Sequence, residues 1–232
     1  MSYSFEPIGV VHSCFAEKFA IPRQPRLAPA ASGVLELFPP YDKAEAVAGL
    51  EGVSHLWLLF VFHAAGHGQQ HLRVRPPRLG GNRRIGVFAS RATHRPNPIG
   101  QSVVRLDAME AGRLYISGID LLDGTPVLDI KPYVPYADAL DDAHNSLADA
   151  APPQLPVSWT PAALQQAQQQ AQRLQQPVVA LVEQCLAQDP KPAYQQPDAA
   201  RQYGVQFWDI DVHWRYPEPE RIEVVAVEQR HA

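Results

Sequence analysis

The residues of this chain that could do chemistry gather in a few short segments. Arg91 to Gly100 reads RATHRPNPIG, which concentrates arginine, histidine and asparagine in one polar stretch. Asp120-Leu121-Leu122-Asp123-Gly124-Thr125-Pro126 is a turn sequence carrying carboxylates, and Asp129 and Lys131 follow at the spacing that puts both on one face of a strand. Further upstream, Pro22-Arg23-Gln24-Pro25 is a stiff corner: prolines restrict the backbone on either side of a planar guanidinium and an amide. Such a rigid presentation suits a carboxylate or a purine edge, although ordinary surface turns use the same Pro-x-x-Pro pattern. Guanidiniums and carboxylates on neighbouring loops would bind a zwitterionic, positively charged ligand. They would equally form structural ion pairs, and the sequence alone leaves both readings open.

His63, His67 and His71 fall at i, i+4 and i+8, a spacing that would align imidazoles for a metal on a helix. Gly66 and Gly68 interrupt that stretch, so no metal site is expected. His63 by itself ends an apolar strand and begins a loop, where ligand-binding residues gather. No G-x-G-x-x-G follows an early strand and no alternating βαβ pattern is seen, so the sequence gives no support to a Rossmann nucleotide site. Neither a G-x-x-x-x-G-K-[ST] phosphate loop nor a G-x-S-x-G nucleophile elbow occurs.

The formal net charge of −4 would by itself argue against a polyanionic partner. Its distribution argues the other way. From Gly52 to Leu106 there is no Asp or Glu, while Arg73, Arg75, Arg78, Arg83, Arg84, Arg91, Arg95 and Arg105 all fall in that window. Such a field can bind phosphates inside an acidic chain. With 46% hydrophobic residues over 232 positions, the chain can build a proper core. No apolar run reaches the roughly 18 residues of a membrane span, and the first residues lack the pattern of a secretion signal. Cys14 and Cys185 stand far apart in no metal-like spacing and read as reduced thiols of a cytoplasmic protein.

These segments must be positioned by strands. Glu6–His12, Val34–Phe38, Leu56–His63, Ile85–Ser90, Ser102–Met109, Leu114–Asp120 and Val127–Lys131 read as short strands separated by Gly, Pro and Asn turns. Leu56–His63 is almost continuously apolar, which predicts burial on both faces. Asp42–Leu50 reads as a helix. The fold class is therefore mainly β: an N-terminal, non-Rossmann β-barrel over residues 1–147, then a linker, then a small α+β domain over 157–232. In that second domain Thr160 is the N-cap of a helix with Pro161 at its first position, and Leu164, Ala167, Ala171 and Leu174 form its apolar stripe. Val178, Leu181, Val182 and Cys185 mark a second short helix. Tyr203–Tyr216 reads as one strand whose apolar face swaps at Phe207-Trp208, as at a β-bulge, and Ile222–Val227 pairs back on it.

Taken together, FAIPRQP (Phe19 to Pro25), RPPRLGGNRRIGVFASRATHRPNPIG (Arg75 to Gly100) and LLDGTPVLDIKPY (Leu121 to Tyr133) resemble the signature blocks of the tRNA N6-methyltransferases that act on threonylcarbamoyladenosine at position 37. AQDPKPAY (Ala187 to Tyr194) is similar to the bacterial C-terminal block of that family. The resemblance covers nearly the whole chain. It implies a β-barrel methyltransferase, a homodimer, and S-adenosylmethionine held by loops near the dimer interface. By motif, the cofactor contacts would be Pro22, Arg23 and Gln24; His63 and Ala64; Arg91; Gln101; and Asp120, Leu121, Leu122, Asp123 and Gly124. The C-terminal domain would help hold the tRNA, with a threonine tRNA as substrate.

Methyl transfer from a sulfonium needs an in-line nucleophile, so orientation should dominate the catalysis. The N6 nitrogen of such a substrate bears a carbamoyl group and becomes a good nucleophile only when its proton leaves, which calls for a base. Asp129 is the candidate base, with Lys131 stabilising charge on the carbamoyl or threonyl carboxylate. Arg84, Arg95 and Asn97 are candidate contacts for the substrate or tRNA. The competing function is a non-catalytic RNA-binding barrel that stacks bases on Trp208 or Trp214. A further alternative is a metal hydrolase or sensor built on His63, His67 and His71.

Overall fold

Short strands bounded by turn residues close into a barrel, because closure pairs every edge and buries one face of each strand. The computed structural model describes residues 3–65, 72–75, 84–191, 198 and 200–230. The barrel strands are β1 (Gly9–Ser13), β2 (Ser32–Leu37), β3 (His55–Val61), β6 (Ile99–Glu110), β7 (Arg113–Ser117) and β8 (Thr125–Pro132), joined in the order β1-β2-β7-β6-β3-β8. Between β3 and β6 lies a short ribbon of β4 (Arg73–Val74) and β5 (Ile85–Gly86). Single helical turns, α1 (Ala44–Val47) and α2 (Pro135–Asp138), flank the barrel strands in sequence. Leu35, Leu56, Leu58, Leu114, Ile116 and Val127 are fully buried, each worth roughly 1.5–3 kcal/mol in removed apolar surface.

Sequence expectations fail in specific places. β3 is not buried on both faces: Leu56, Leu58 and Phe60 point into the core, whereas Trp57, Leu59 and Val61 are half-buried on the outside. Its outer face is apolar for another reason. Trp57 lies 5.9 Å from the Tyr133 ring and donates its indole N–H to Asp138 at 2.9 Å. The helix expected over Asp42–Leu50 shrinks to α1 and a separate 3₁₀ turn, Leu50–Gly52, because Gly49 adopts φ of 93°. Ile85–Ser90 is a strand only over Ile85–Gly86, and Val87–Ala89 form a 3₁₀ turn.

The C-terminal sheet has the order β10-β11-β12-β9, built from β9 (Val157–Trp159), β10 (Gln202–Phe207), β11 (Ile210–Glu218) and β12 (Arg221–Gln229), with β9 parallel to β12. The helices are α3 (Pro161–Leu174) and α4 (Val178–Leu186). The Thr160 hydroxyl accepts the Ala163 N–H at 3.2 Å, as its cap position requires. Ala163 and Ala167 are the buried residues of α3, with Leu164, Ala171 and Leu174 half-buried beside them. Tyr203–Tyr216 is a hairpin rather than one bulged strand: Phe207 pairs with Ile210, and Trp208-Asp209 form the turn, with Trp208 at φ of 49°. Apolar residues change parity there because the chain reverses. Arg173 of α3 grips the turn through two hydrogen bonds to Asp209, at 2.8 and 2.6 Å.

Packing divides the chain into two compact units. One holds Met1–His12, Val34–Ile116 and Gly124–Ala151; the other holds Ser13–Gly33, Ser117–Asp123 and Pro152–Ala232. Among the described residues, no helix is long and apolar enough to cross a membrane.

Both cysteines are free and buried. Burial pushes the Cys14 thiol up to about 12 and raises that of Cys185 well above its ordinary value. At neutral pH neither forms an appreciable thiolate, which is the reactive species. Native protein at pH 8 should therefore leave an aromatic disulfide reagent unreduced, and both thiols should titrate promptly in guanidinium; rapid native labelling would contradict this packing.

Candidate functional site

In the first unit the site is built where β3 runs out. β3 pairs antiparallel with β6, matching Val61 to Ile99 and Leu59 to Gln101. Beyond the ladder, Phe62 N–H donates to the Pro98 carbonyl at 2.8 Å, so His63 and Ala64 leave the barrel beside the Asn97-Pro98 turn. Both are half-buried, whereas Asn97 and Gln101 are exposed. Gly100 is there for space: a Cβ would drive into the Phe60 ring, which packs edge-to-face on Phe62 at 5.3 Å.

The loop that presents Arg91 is folded on one carbonyl. Val87 C=O accepts from Ser90 N–H at 3.3 Å, from the Ser90 hydroxyl at 3.0 Å and from Arg95 Nη1 at 3.3 Å. Arg95 Nη1 also donates to the Ser90 carbonyl at 2.7 Å, and its guanidinium lies 6.0 Å from the Phe88 ring centre. Arg95 thus holds this loop from within, while Arg91 and Arg84 stand exposed.

Asp129 and Lys131 owe their position to a bulge. The β3–β8 register shifts between Leu59 and Phe60: Phe60 faces Val127, but Leu59 faces Asp129. Thr125 and Val127 point into the barrel, and the extra residue at Leu128 reverses the parity, so Asp129 and Lys131 come out on the wall. There the Lys131 ammonium meets the Asp129 carboxylate at 2.7 Å, with side chains 62% and 46% exposed. At that exposure the pair contributes little stability.

The second unit carries the other candidate residues. Pro22 is buried, Arg23 exposed and Gln24 half-buried. The corner is bracketed by residues with left-handed backbone, Ala20 at φ of 61° and Arg26 at 68°. Asp123 Oδ1 accepts Ser13 N–H at 2.8 Å, the Ser13 hydroxyl donates to the Leu121 carbonyl at 2.7 Å, and Asp123 N–H donates to the Phe15 carbonyl at 2.9 Å. These bonds knit the Asp120–Asp123 turn to the segment that leads to Pro22. Leu121, at 1% exposure, is a packing residue whose side chain offers nothing to a ligand; Asp120 and Leu122 are half-buried. Ser13 was not singled out in the sequence, because a lone serine after a strand carries no motif. Gly124, in the first unit, takes φ of 75°.

Among the described residues no group of three or more His, Cys, Asp or Glu is placed to hold a metal ion, and His67 and His71 lie outside the described residues. Trp214 is fully buried, which removes it as a stacking surface for a base. In the first unit His63 and Arg91 offer an imidazole and a guanidinium, and in the second Arg23, Gln24, Asp120 and Asp123 offer a guanidinium, an amide and two carboxylates.

The comparisons with known proteins agree with this architecture. The family model described as the tRNA-methyltransferase O N-terminal domain matches residues 10–139, and that of the TrmO C-terminal domain matches residues 152–230. The chain is 66% identical over 98% of both chains to the Pseudomonas aeruginosa protein RcsF, named for S-adenosylmethionine-dependent methyl transfer. It is 47% identical, over 99% of both chains, to a tRNA (adenine(37)-N6)-methyltransferase of Escherichia coli K12. A crystal structure of TrmO from Pseudomonas aeruginosa superposes with a TM-score of 0.87 at 60% identity, covering 98% of this chain and 99% of that one. Fold and matches together define a β-barrel methyltransferase, distinct from the Rossmann class. The chain belongs to the tRNA-methyltransferase O family.

Gly100→Ala tests the packing that seats His63. Overpacking a filled site costs typically 1–3 kcal/mol, so a clear drop in the denaturation midpoint is expected; a midpoint equal to the parent would show that Phe60 moves aside freely.

Proposed function

We propose that this protein transfers the methyl group of S-adenosylmethionine to N6 of threonylcarbamoyladenosine at position 37 of tRNA, a threonine tRNA among its substrates. The observation that carries the reading is the full-length similarity to an adenine-37 N6-methyltransferase, 47% identical over 99% of the chain. The acid-free arginine window of the barrel supports it, since affinity for RNA rests on phosphate contacts. The protein acts in the cytoplasm as a homodimer with the cofactor near the interface. The barrel, 1–147, does the chemistry, and residues 157–232 assist in holding tRNA.

The bound cofactor supplies an electrophilic methyl group on a sulfonium. The chain's own residues bind and orient. The cofactor contacts are Pro22, Arg23 and Gln24, His63 and Ala64, Arg91, Gln101, and Asp120 to Gly124. Lys131 takes the threonyl carboxylate, an anion that competes with Asp129 for the ammonium 2.7 Å away. Asp129, released from its partner, accepts the N6 proton. Arg84 and Asn97 meet the substrate or the tRNA backbone, while Arg95 serves chiefly by shaping the Arg91 loop.

Deleting the gene should remove the methylated threonylcarbamoyladenosine from total tRNA nucleosides, read by mass spectrometry, and purified protein with S-adenosylmethionine should restore it. Unchanged nucleosides, with salt-sensitive RNA binding and no cofactor uptake, would leave a non-catalytic RNA-binding barrel instead. Asp129→Asn should retain cofactor affinity while turnover falls by roughly 10²-fold, the usual contribution of a positioned base. Full turnover in this variant would remove Asp129 from the chemistry.

A further inference from the structure

The Pro22-Arg23-Gln24 corner is flanked on both sides by backbone conformations that the residues there do not favour. Ala20 and Arg26 both take left-handed backbone, at φ of 61° and 68°, which costs free energy in any residue other than glycine. Such strain persists only where the surroundings over-determine it, and it concentrates at ligand clamps.

Here the surroundings are the C-terminal sheet and helices, together with Gly118 just after β7. On the upstream side, Phe15 bridges Phe207 and packs edge-on against its ring at 6.0 Å. Trp208 N–H donates to the Cys14 carbonyl at 2.9 Å, and Gln206 N–H donates to the Glu17 carboxylate at 2.9 Å. Phe19 then stacks on Trp214, with ring centres 5.9 Å apart and planes 15° from parallel. On the downstream side, Arg26 N–H donates to the Gly118 carbonyl at 2.8 Å. Ala30 N–H donates to Gln184 Oε1 of α4, also at 2.8 Å. The Ser32 hydroxyl donates to Gln176 Oε1 at 2.7 Å.

Trp214 is fully buried, and the Tyr203 ring lies 5.8 Å from it with the planes 20° from parallel. The indole is thereby fixed as a broad, flat surface against Phe19.

We infer that the β10–β11 hairpin is a positioning platform for the cofactor corner, with Phe19 and Trp214 as its positioning residues. The C-terminal domain thereby has a second task besides holding RNA: it keeps Arg23 and Gln24 aimed for S-adenosylmethionine. This inference rests on the cofactor reading of the Pro22–Gln24 corner. It concerns the affinity for the cofactor and not the affinity for tRNA.

The test uses the full-length protein and titration calorimetry with S-adenosylmethionine. Phe19→Ala should weaken cofactor binding by about tenfold or more and raise KM for S-adenosylmethionine, leaving KM for tRNA within about twofold. Phe19→Tyr, which keeps the ring, should restore the affinity. Amide exchange at residues 20–26 should accelerate in Phe19→Ala while β3 and β6 stay protected. Arg215→Ala, which breaks a surface pair with Glu223 on the same sheet, serves as the control and should bind like the parent. Should Phe19→Ala fail to fold, Phe19→Leu keeps apolar bulk without the stack and should show the same split in smaller measure. Parent-like binding by a folded Phe19→Ala or Phe19→Leu would overturn the inference alone. Absence of binding by the unaltered protein would overturn the cofactor reading and this inference with it.

Discussion

Strand β3 is hydrogen-bonded on both edges, to β6 on one side and β8 on the other, and the barrel's share of the candidate site takes its position from that double ladder. The register with β6 brings the His63-Ala64 exit beside Asn97-Pro98. The register with β8 slips once, at Leu59/Phe60, and that slip moves Asp129 and Lys131 from the inner parity to the outer wall. A barrel interior filled by Leu56, Leu58, Phe60 and Val127 cannot take an unpaired carboxylate or ammonium without a large desolvation cost. The bulge resolves the conflict while the ladder stays closed.

The loops are shaped by a different device, in which polar side chains substitute for missing ladder partners. Arg95 gathers the carbonyls of Val87 and Ser90 and so folds the loop that exposes Arg91. Asp123 and Ser13 cross-bond the turn ahead of Gly124 to the chain that leads to Pro22. Charged residues that a motif reader would assign to a ligand are here partly spent on the backbone. The arginine window is therefore not a uniform phosphate field: Arg95 is half-buried and bonds its own loop, whereas Arg84 and Arg91 are exposed.

The two compact units divide the candidate residues differently from the linear order of domains. The segments 13–33 and 117–123 pack with residues 152–232, although they lie within the span matched by the N-terminal family model. Segments distant in sequence share a core because the bonds of Ser13, Cys14, Phe15 and Glu17 run to partners more than a hundred residues away, a relation that no local periodicity encodes.

The sequence by itself determined the strand-rich, non-Rossmann class, the helix caps at Thr160 and Pro161, the apolar stripes of the C-terminal helices, and the blocks that mark the family. All of these are local: propensity, periodicity and motif act within a few residues. It misread β3 as doubly buried because an apolar outer face supporting Trp57 and Tyr133 looks the same in sequence as an inner one. It misread the Phe207–Ile210 hairpin as a bulge because both change the apolar parity, and Trp208-Asp209 lacks the Gly or Asn that usually signals such a turn. Only the tertiary structure decided that Asp129 and Lys131 face outward as a pair, that Arg95 bonds carbonyls of its own loop, and that Phe19, ahead of the Pro22-Arg23-Gln24 corner, stacks on the Trp214 ring. Each of these depends on pairing register or on a contact between remote segments, and such relations are set by how the whole core closes.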